Sequence, residues 1–193
     1  EPVKVFQVEA SIQGLMQAGD KVDSMLRVFI AHKESVDRTD NSGRMILDDL
    51  ARRIRGLKEV LFKTGKLEYA LADGTVGHVT VDEVLSDEAM KRFARAIDTG
   101  FEKALQATDD TYLRWIAMDG VRLHVVLTGG SSALPMMKTL GQGMIEVKGF
   151  RILREQVDPR PAWLDQVSGE LSAVYPQLAV AIGGVAETMP ETL

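Results

Sequence analysis

The chain has 193 residues, enough for one domain or a pair of small subdomains around a core that needs no covalent staples. Apolar residues make up 45% and charged residues 26%, which excludes wholesale disorder and a fibrous repeat. With 28 acidic against 23 basic residues the net charge is -5, so phosphate backbones and anionic lipid are repelled except at a local basic patch; neither nucleic acid nor a membrane is expected as partner.

Cysteine is absent, which removes disulfides, thiolate nucleophiles and cysteine-ligated zinc, and agrees with a reducing, cytoplasmic location. His32, His78 and His124 lie too far apart for a local metal-ligand spacing, so no metal is expected. No apolar stretch approaches the roughly 20 residues of a membrane span, and the N-terminus lacks the basic start and apolar centre of a signal peptide. The first residue is Glu1, which suggests a piece of a longer protein.

From Val8 to about Lys33, Ile12, Leu15, Met16, Met25, Leu26 and Phe29 recur at helical spacing with an interruption near Gly19, so one or two helices are expected. Residues 34–43 are polar and read as a loop ending in a helix start. Ile46, Leu50, Ile54, Leu57 and Leu61 then step by three and four, one apolar stripe on a helix of about five turns that Gly65 ends. In residues 66–80 the period changes: Leu67, Tyr69 and Leu71 alternate, Asp73-Gly74 offers a tight turn, and Val76, Val79 and Val81 follow, predicting a β-hairpin. Thr80 and Glu83 have the spacing of a capping box. Met90, Phe93, Ile97, Phe101 and Ala104 mark the buried face of the next helix, with Asp87 and Glu88 at the positive end of its dipole.

After a loop around Asp109 and Asp110, Leu123 to Leu127 is an apolar run expected to form a strand buried on both faces. It leads into Thr128-Gly129-Gly130-Ser131-Ser132, with Pro135 at the first position of a helix. Met144 to Val147 and Phe150 to Val157 read as further strands. Closing helices are expected over 163–175 and 177–187, the second containing Gly183-Gly184, where a neighbouring backbone would pack close.

Two glycines directly after a buried strand let backbone amides approach an anion or a ribose at a helix N-terminus, although a structural tight turn has the same signature. Ser131 lacks the glycine two residues later that a nucleophile elbow needs, which rejects a hydrolase triad. On the helix over Leu50 to Thr64, Arg55, Lys58 and Phe62 share one face, where two cations and a ring could grip a nucleotide; the alternative is a solvated basic face with Phe62 against the core. Asp48-Asp49 and Asp109-Asp110 read as helix-start and loop solubilisers, because adjacent carboxylates do not converge on one point. His124 reads as a core or edge histidine of its strand.

The run Val125-Val126-Leu127-Thr128-Gly129-Gly130-Ser131-Ser132-Ala133-Leu134-Pro135 resembles the adenosine-side motif of the DnaK family of heat-shock chaperones, a hydrophobic strand followed by Gly-Gly-Ser-Thr-Arg-Ile-Pro. Three more segments fall in that family's order. Leu50 to Thr64 is similar to its helix of adenine-pocket residues, Thr80 to Leu105 to its capping-box segment and the helix ending in Glu-Lys-Ala-Leu, and Tyr175 to Gly184 to its closing Asn-Pro-Asp-Glu-Ala segment. The resemblance spans residues 50–187.

It implies a mixed α/β fold, the second lobe of an actin-like ATPase: a ribonuclease H-like sheet-and-helix subdomain over 87–193, with an inserted helix-plus-hairpin subdomain over 1–86. It implies ATP or ADP as cofactor, with magnesium held only in the full-length parent, and the missing N-terminal ATPase lobe as partner. Gly129, Gly130 and Ser131 match the nucleotide-facing turn, and Lys58 the adenosine-contacting lysine. The diglycine bend and Lys58 are expected to open onto one crevice.

The chain departs from the family where glutamate is replaced by Arg55, serine by Phe62, the adenine-stacking arginine by Ala133 and an aspartate by Gln177. The Asp-x-Gly phosphate turns and the peptide-binding domain are not found, and Asp73-Gly74 and Asp119-Gly120 have the wrong surroundings. The expectation is a chaperone-like ATPase fragment supplying the adenosine-side half of a nucleotide cleft, not catalytic alone. The alternative is a nucleotide-independent protein-interaction module on the same fold.

Overall fold

A computed structural model describes residues 19–161 continuously, together with 6–7, 11–12, 14, 164, 171, 174–176, 178–179 and 191–192. In chain order the elements are β1 (Phe6–Gln7), α1 (Gly19–Lys33), α2 (Asn41–Thr64), β2 (Lys66–Ala70), β3 (Val76–Thr80), α3 (Val81–Ser86) and α4 (Glu88–Gln106). There follow α5 (Asp110–Ile116), β4 (Leu123–Val126), α6 (Pro135–Leu140), β5 (Gly143–Val147), β6 (Phe150–Val157) and β7 (Glu191–Thr192). The fold class is mixed α/β. The closing helices expected over 163–175 and 177–187, with Gly183 and Gly184, lie for the most part outside the described residues. The chain divides into two compact units, Met16–Ala96 and Glu1–Leu15 with Ile97–Leu193.

In the unit Met16–Ala96, the interruption at Gly19 is the first residue of α1. Val22, Met25, Leu26 and Ile30 form the buried stripe of this helix, while Phe29 is half-buried. Asp40 caps α2 by accepting the Gly43 amide at 2.6 Å, and Gly65 ends it in the left-handed region at φ 82°, as its position after Thr64 predicts. The buried residues Ile46, Leu50, Ile54 and Leu61 follow the expected spacing. Leu50 and Leu61 have no exposed surface, each burial stabilising by about 2 kcal/mol.

The hairpin β2–β3 is antiparallel, pairing Lys66 with Thr80 and Ala70 with Val76, and Gly74 at φ 88° makes its turn. The Arg53 guanidinium ties α2 to β2 through the Ala70 carbonyl at 2.9 Å. Thr80 and Glu83 form both bonds of the capping box, but α3 stops at Ser86. Asp87 starts α4 afresh, its carboxylate accepting the Ala89 amide at 2.9 Å and the Met90 amide at 3.3 Å.

In the other unit, β4, β6 and β5 form one sheet in that order, β4 parallel and β5 antiparallel to β6. Lys148 (φ 49°) and Gly149 (φ 79°) make the turn between β5 and β6, the two positive angles that match a hairpin's twist. The inner face packs Ile152 and Val147 against Leu113 and Ile116 of α5.

Two expectations are corrected. The stretch at Asp109 and Asp110 is not only a loop: Asp109 accepts the Thr111 amide at 2.7 Å and starts α5. Nor is β4 buried on both faces. His124 and Val126 are exposed and only Leu123 and Val125 turn inward, because the outward pair lies on the sheet face where Leu153 of the central strand and Met144 are exposed as well. Among the described residues, no helix is long and apolar enough to cross a membrane.

Candidate functional site: the glycine turn after β4

The chain leaves β4 through buried Leu127 and exposed Thr128 and turns at Gly129, whose φ of 86° strongly favours a residue without Cβ. The Gly129 amide donates to the Pro176 carbonyl, the Ser132 amide to Gly129 at 3.1 Å and the Leu134 amide to Ser131 at 3.0 Å. The amides of Gly130, Ser131 and Ala133 have no acceptor among the described residues. Open space lies where a Cβ on either Gly129 or Gly130 would stand. Gly130 and Ala133 are exposed, Gly129 and Ser131 half-buried. Gly130 therefore answers neither to a positive φ nor to a close neighbour; what its missing side chain provides is an unobstructed backbone. Pro135 begins α6, its absent amide costing nothing at that position.

Arg55, Lys58 and Phe62 sit on α2, in the unit Met16–Ala96, while Gly129, Gly130, Ser131 and Ala133 belong to the other unit. Lys58 is turned toward α1: its Nζ lies 2.7 Å from Asp23 Oδ1 and 3.4 Å from the Gly19 carbonyl. Arg55 points into solvent beside Glu59, 3.6 Å away, and Phe62 is half-buried. The three share the sector that helical spacing assigns them, but their side chains diverge: one cation is locked to a neighbouring helix and the other is loosely paired.

The remaining candidates have structural duties. Asp49 clamps Arg53, and that guanidinium holds its carboxyl below the usual aspartate range. Asp109 caps α5, and Asp110 meets Lys148 at 2.9 Å. His124 stands on the exposed face of β4, opposite Glu155. No group of three His, Asp or Glu side chains among the described residues is arranged to hold a metal ion.

Sequence reading missed an aromatic pair on α5. The Tyr112 and Trp115 rings meet edge to face with centroids 5.6 Å apart, and both remain more than half exposed. The signal was there in their three-residue spacing after the Asp109 cap. A seven-residue helix carries too few apolar steps to declare itself.

Comparison of the chain with protein-family models, with curated proteins and with solved structures finds no match.

Proposed function

We propose that the chain supplies the adenosine-side half of a nucleotide-binding cleft in a chaperone-like, actin-like ATPase, with the turn 129–133 as its contact and the phosphate-binding lobe supplied by the rest of a longer cytoplasmic protein. The observation that carries this reading is a set of three amides, Gly130, Ser131 and Ala133, with no acceptor among the described residues, on an accessible turn. Backbone amides without partners are donors suited to ribose or phosphate oxygens. The edge of β4 supports the second part: among the described residues β4 pairs only with β6, and an unpaired strand edge calls for a further strand or a cover. The segments resembling the DnaK family supply the identity of the ligand.

A half-site binds weakly, so titration of the chain with ATP and with ADP should move the amide resonances of residues 130–133 only at millimolar concentration, corresponding to about 4 kcal/mol. No ATP hydrolysis should accompany it. Gly130→Val, which meets open space, should fold normally and abolish those shifts. Shifts elsewhere, or none, would overturn the turn as a contact. Micromolar binding by the chain alone would overturn the half-site.

A second reading, a nucleotide-independent interaction module, is favoured by the fixed position of Lys58 on Asp23 and by the exposed Tyr112–Trp115 pair, residue types that anchor protein interfaces. Under this reading, Trp115→Ala weakens capture of a partner while nucleotide has no effect.

A further inference from the structure

Between α1 and the start of α4, within the unit Met16–Ala96, lies a cleft of about 420 Å³ whose walls include Lys21, Val28, Phe29, His32, Ala89 and Arg92. Its floor is apolar. Val28 is 44% exposed, and the half-buried Phe29 departs from the fully buried stripe of α1 because it faces this opening. The charges around it are unevenly engaged. Asp87 spends its carboxylate on the Ala89 and Met90 amides, and Glu88 is paired with Lys91 at 3.0 Å. The side chains of Lys21 and His32 make no hydrogen bond or ion pair with a described residue, and the Arg92 guanidinium makes no short contact but acts through space on Glu88, adding to the effect of Lys91. What remains for an incoming group is a greasy floor beside the Lys21 ammonium, the His32 imidazole and an Arg92 guanidinium that Glu88 holds only through space.

We propose that this cleft is a docking site for an acidic peptide segment of a partner protein, one that inserts a bulky apolar side chain against Val28 and Phe29 and places carboxylates near Lys21 and Arg92. Length argues for a peptide. From Lys21 to His32 the wall runs eleven residues along α1, roughly 16 Å at the rise of an α-helix, which suits a segment of several residues better than a compact metabolite. Charge complementarity favours an acidic partner, since Lys21 and Arg92 have no short ion pair, whereas the cleft's carboxylates are engaged, Asp87 by the Ala89 and Met90 amides and Glu88 by Lys91. Apolar insertion supplies the affinity that exposed charges do not. The site uses neither the glycine turn nor nucleotide, so it stands or falls separately from the cleft proposed above.

The test uses the whole chain and a labelled peptide of sequence Asp-Glu-Leu-Phe-Glu-Asp, with Lys-Lys-Leu-Phe-Lys-Lys and Asp-Glu-Ser-Ser-Glu-Asp as controls. Fluorescence anisotropy should show saturable binding of the first peptide, weakened about tenfold or more in either control. Amide shifts should centre on Val28, Phe29 and Ala89. Val28→Glu, at an exposed position, and the charge reversal Lys21→Glu with Arg92→Glu should each remove binding while circular dichroism stays unchanged. Equal binding of the basic peptide, shifts centred on other residues, or binding that survives both variants would overturn the proposal. Octanoate competing as well as the peptide would assign the cleft to small amphiphiles instead, and concentration-dependent self-association lost in Val28→Glu would assign it to a second copy of the chain; either result would overturn the peptide proposal.

Discussion

Lys58 Nζ on α2 stands 2.7 Å from Asp23 Oδ1 on α1, and both side chains keep less than a fifth of their surface in contact with solvent. The approach is ionic rather than a well-directed hydrogen bond, because Asp23 Oδ1, fully buried, has no donor at acceptable angles. Helix α2 returns along α1, so a residue near its end can clasp one near the start of its neighbour. A lysine expected to face nucleotide is thus also a strut between two helices.

Lys58→Met should leave the Asp23 carboxylate uncompensated and cost about 2 to 3 kcal/mol, somewhat less than for a fully buried pair. Asp23→Asn in that background should recover a good part of the loss. Urea denaturation of the two single variants and the double variant measures the coupling. Strictly additive losses would show that the contact contributes nothing specific.

At the glycine turn the two neighbours should behave differently. Gly129→Ala forces a Cβ onto a φ of 86° and should destabilise by about 1 kcal/mol. Gly130→Ala enters open space and should change stability by less than about 0.5 kcal/mol. Thermal melts of both variants check the difference. If Gly130→Ala proves the costlier, the backbone there is held by something other than its own turn.

The hairpin and α2 were legible because each carries a redundant signal: alternation plus Asp73-Gly74 for one, a long apolar stripe plus Asp40 and Gly65 for the other. Helix α5 and the faces of β4 were not. Seven residues are too few for a period to emerge, and the run from Leu123 to Leu127 reads alike whether one face of its sheet is covered or both. Register shows which face is open: the pairing of His124 with Glu155 and Met144 with Leu153 puts Val126, Leu153 and Met144 on one face, where all three are more than a third exposed. At the candidate site, spacing placed Arg55, Lys58 and Phe62 in one sector. It could not say that Asp23, thirty-five residues earlier in the chain, had taken the lysine.

Tyr69 is almost wholly buried and its hydroxyl donates to Glu34 Oε1 at 2.7 Å. Burial first, and the Glu34 carboxylate second, push the phenol well above the ordinary tyrosine value of 10.0. The folded state therefore prefers the neutral phenol. Its contribution is complete below pH 10 and is lost as pH rises beyond it. Tyr69→Phe should cost about 1 kcal/mol at pH 7 and flatten the alkaline limb of the stability profile. A Cβ on Gly77 would stand 2.7 Å from the same hydroxyl, so Gly77→Ala should break this bond through overpacking, at about 1 to 3 kcal/mol. Denaturation midpoints from pH 7 to 11 test all three statements, and a Tyr69→Phe profile that falls as steeply as the parent's would refute the assignment.

Glu83 is the best-connected carboxylate of the capping box. Its Oε1 accepts from Lys33 at 2.7 Å and its Oε2 from the Thr80 amide at 2.7 Å, holding the carboxyl near a pKa of about 2 against an ordinary value of 4.5, the lysine contributing most. The folded-state value is depressed, so the stabilisation is present above pH 4.5 and is lost as pH falls toward 2. The group is exposed and solvent screens the lysine contact, so the effect is small and shrinks further in salt. Glu83→Gln should be less stable than the parent at pH 7 and should converge on it between pH 4.5 and 2, whereas Thr80→Ala, which removes the reciprocal hydroxyl cap, should cost about 1 kcal/mol at both ends of that range. A gap between Glu83→Gln and the parent that is as wide at pH 2 as at pH 7 would mean that packing, rather than charge, is what the glutamate supplies to α3.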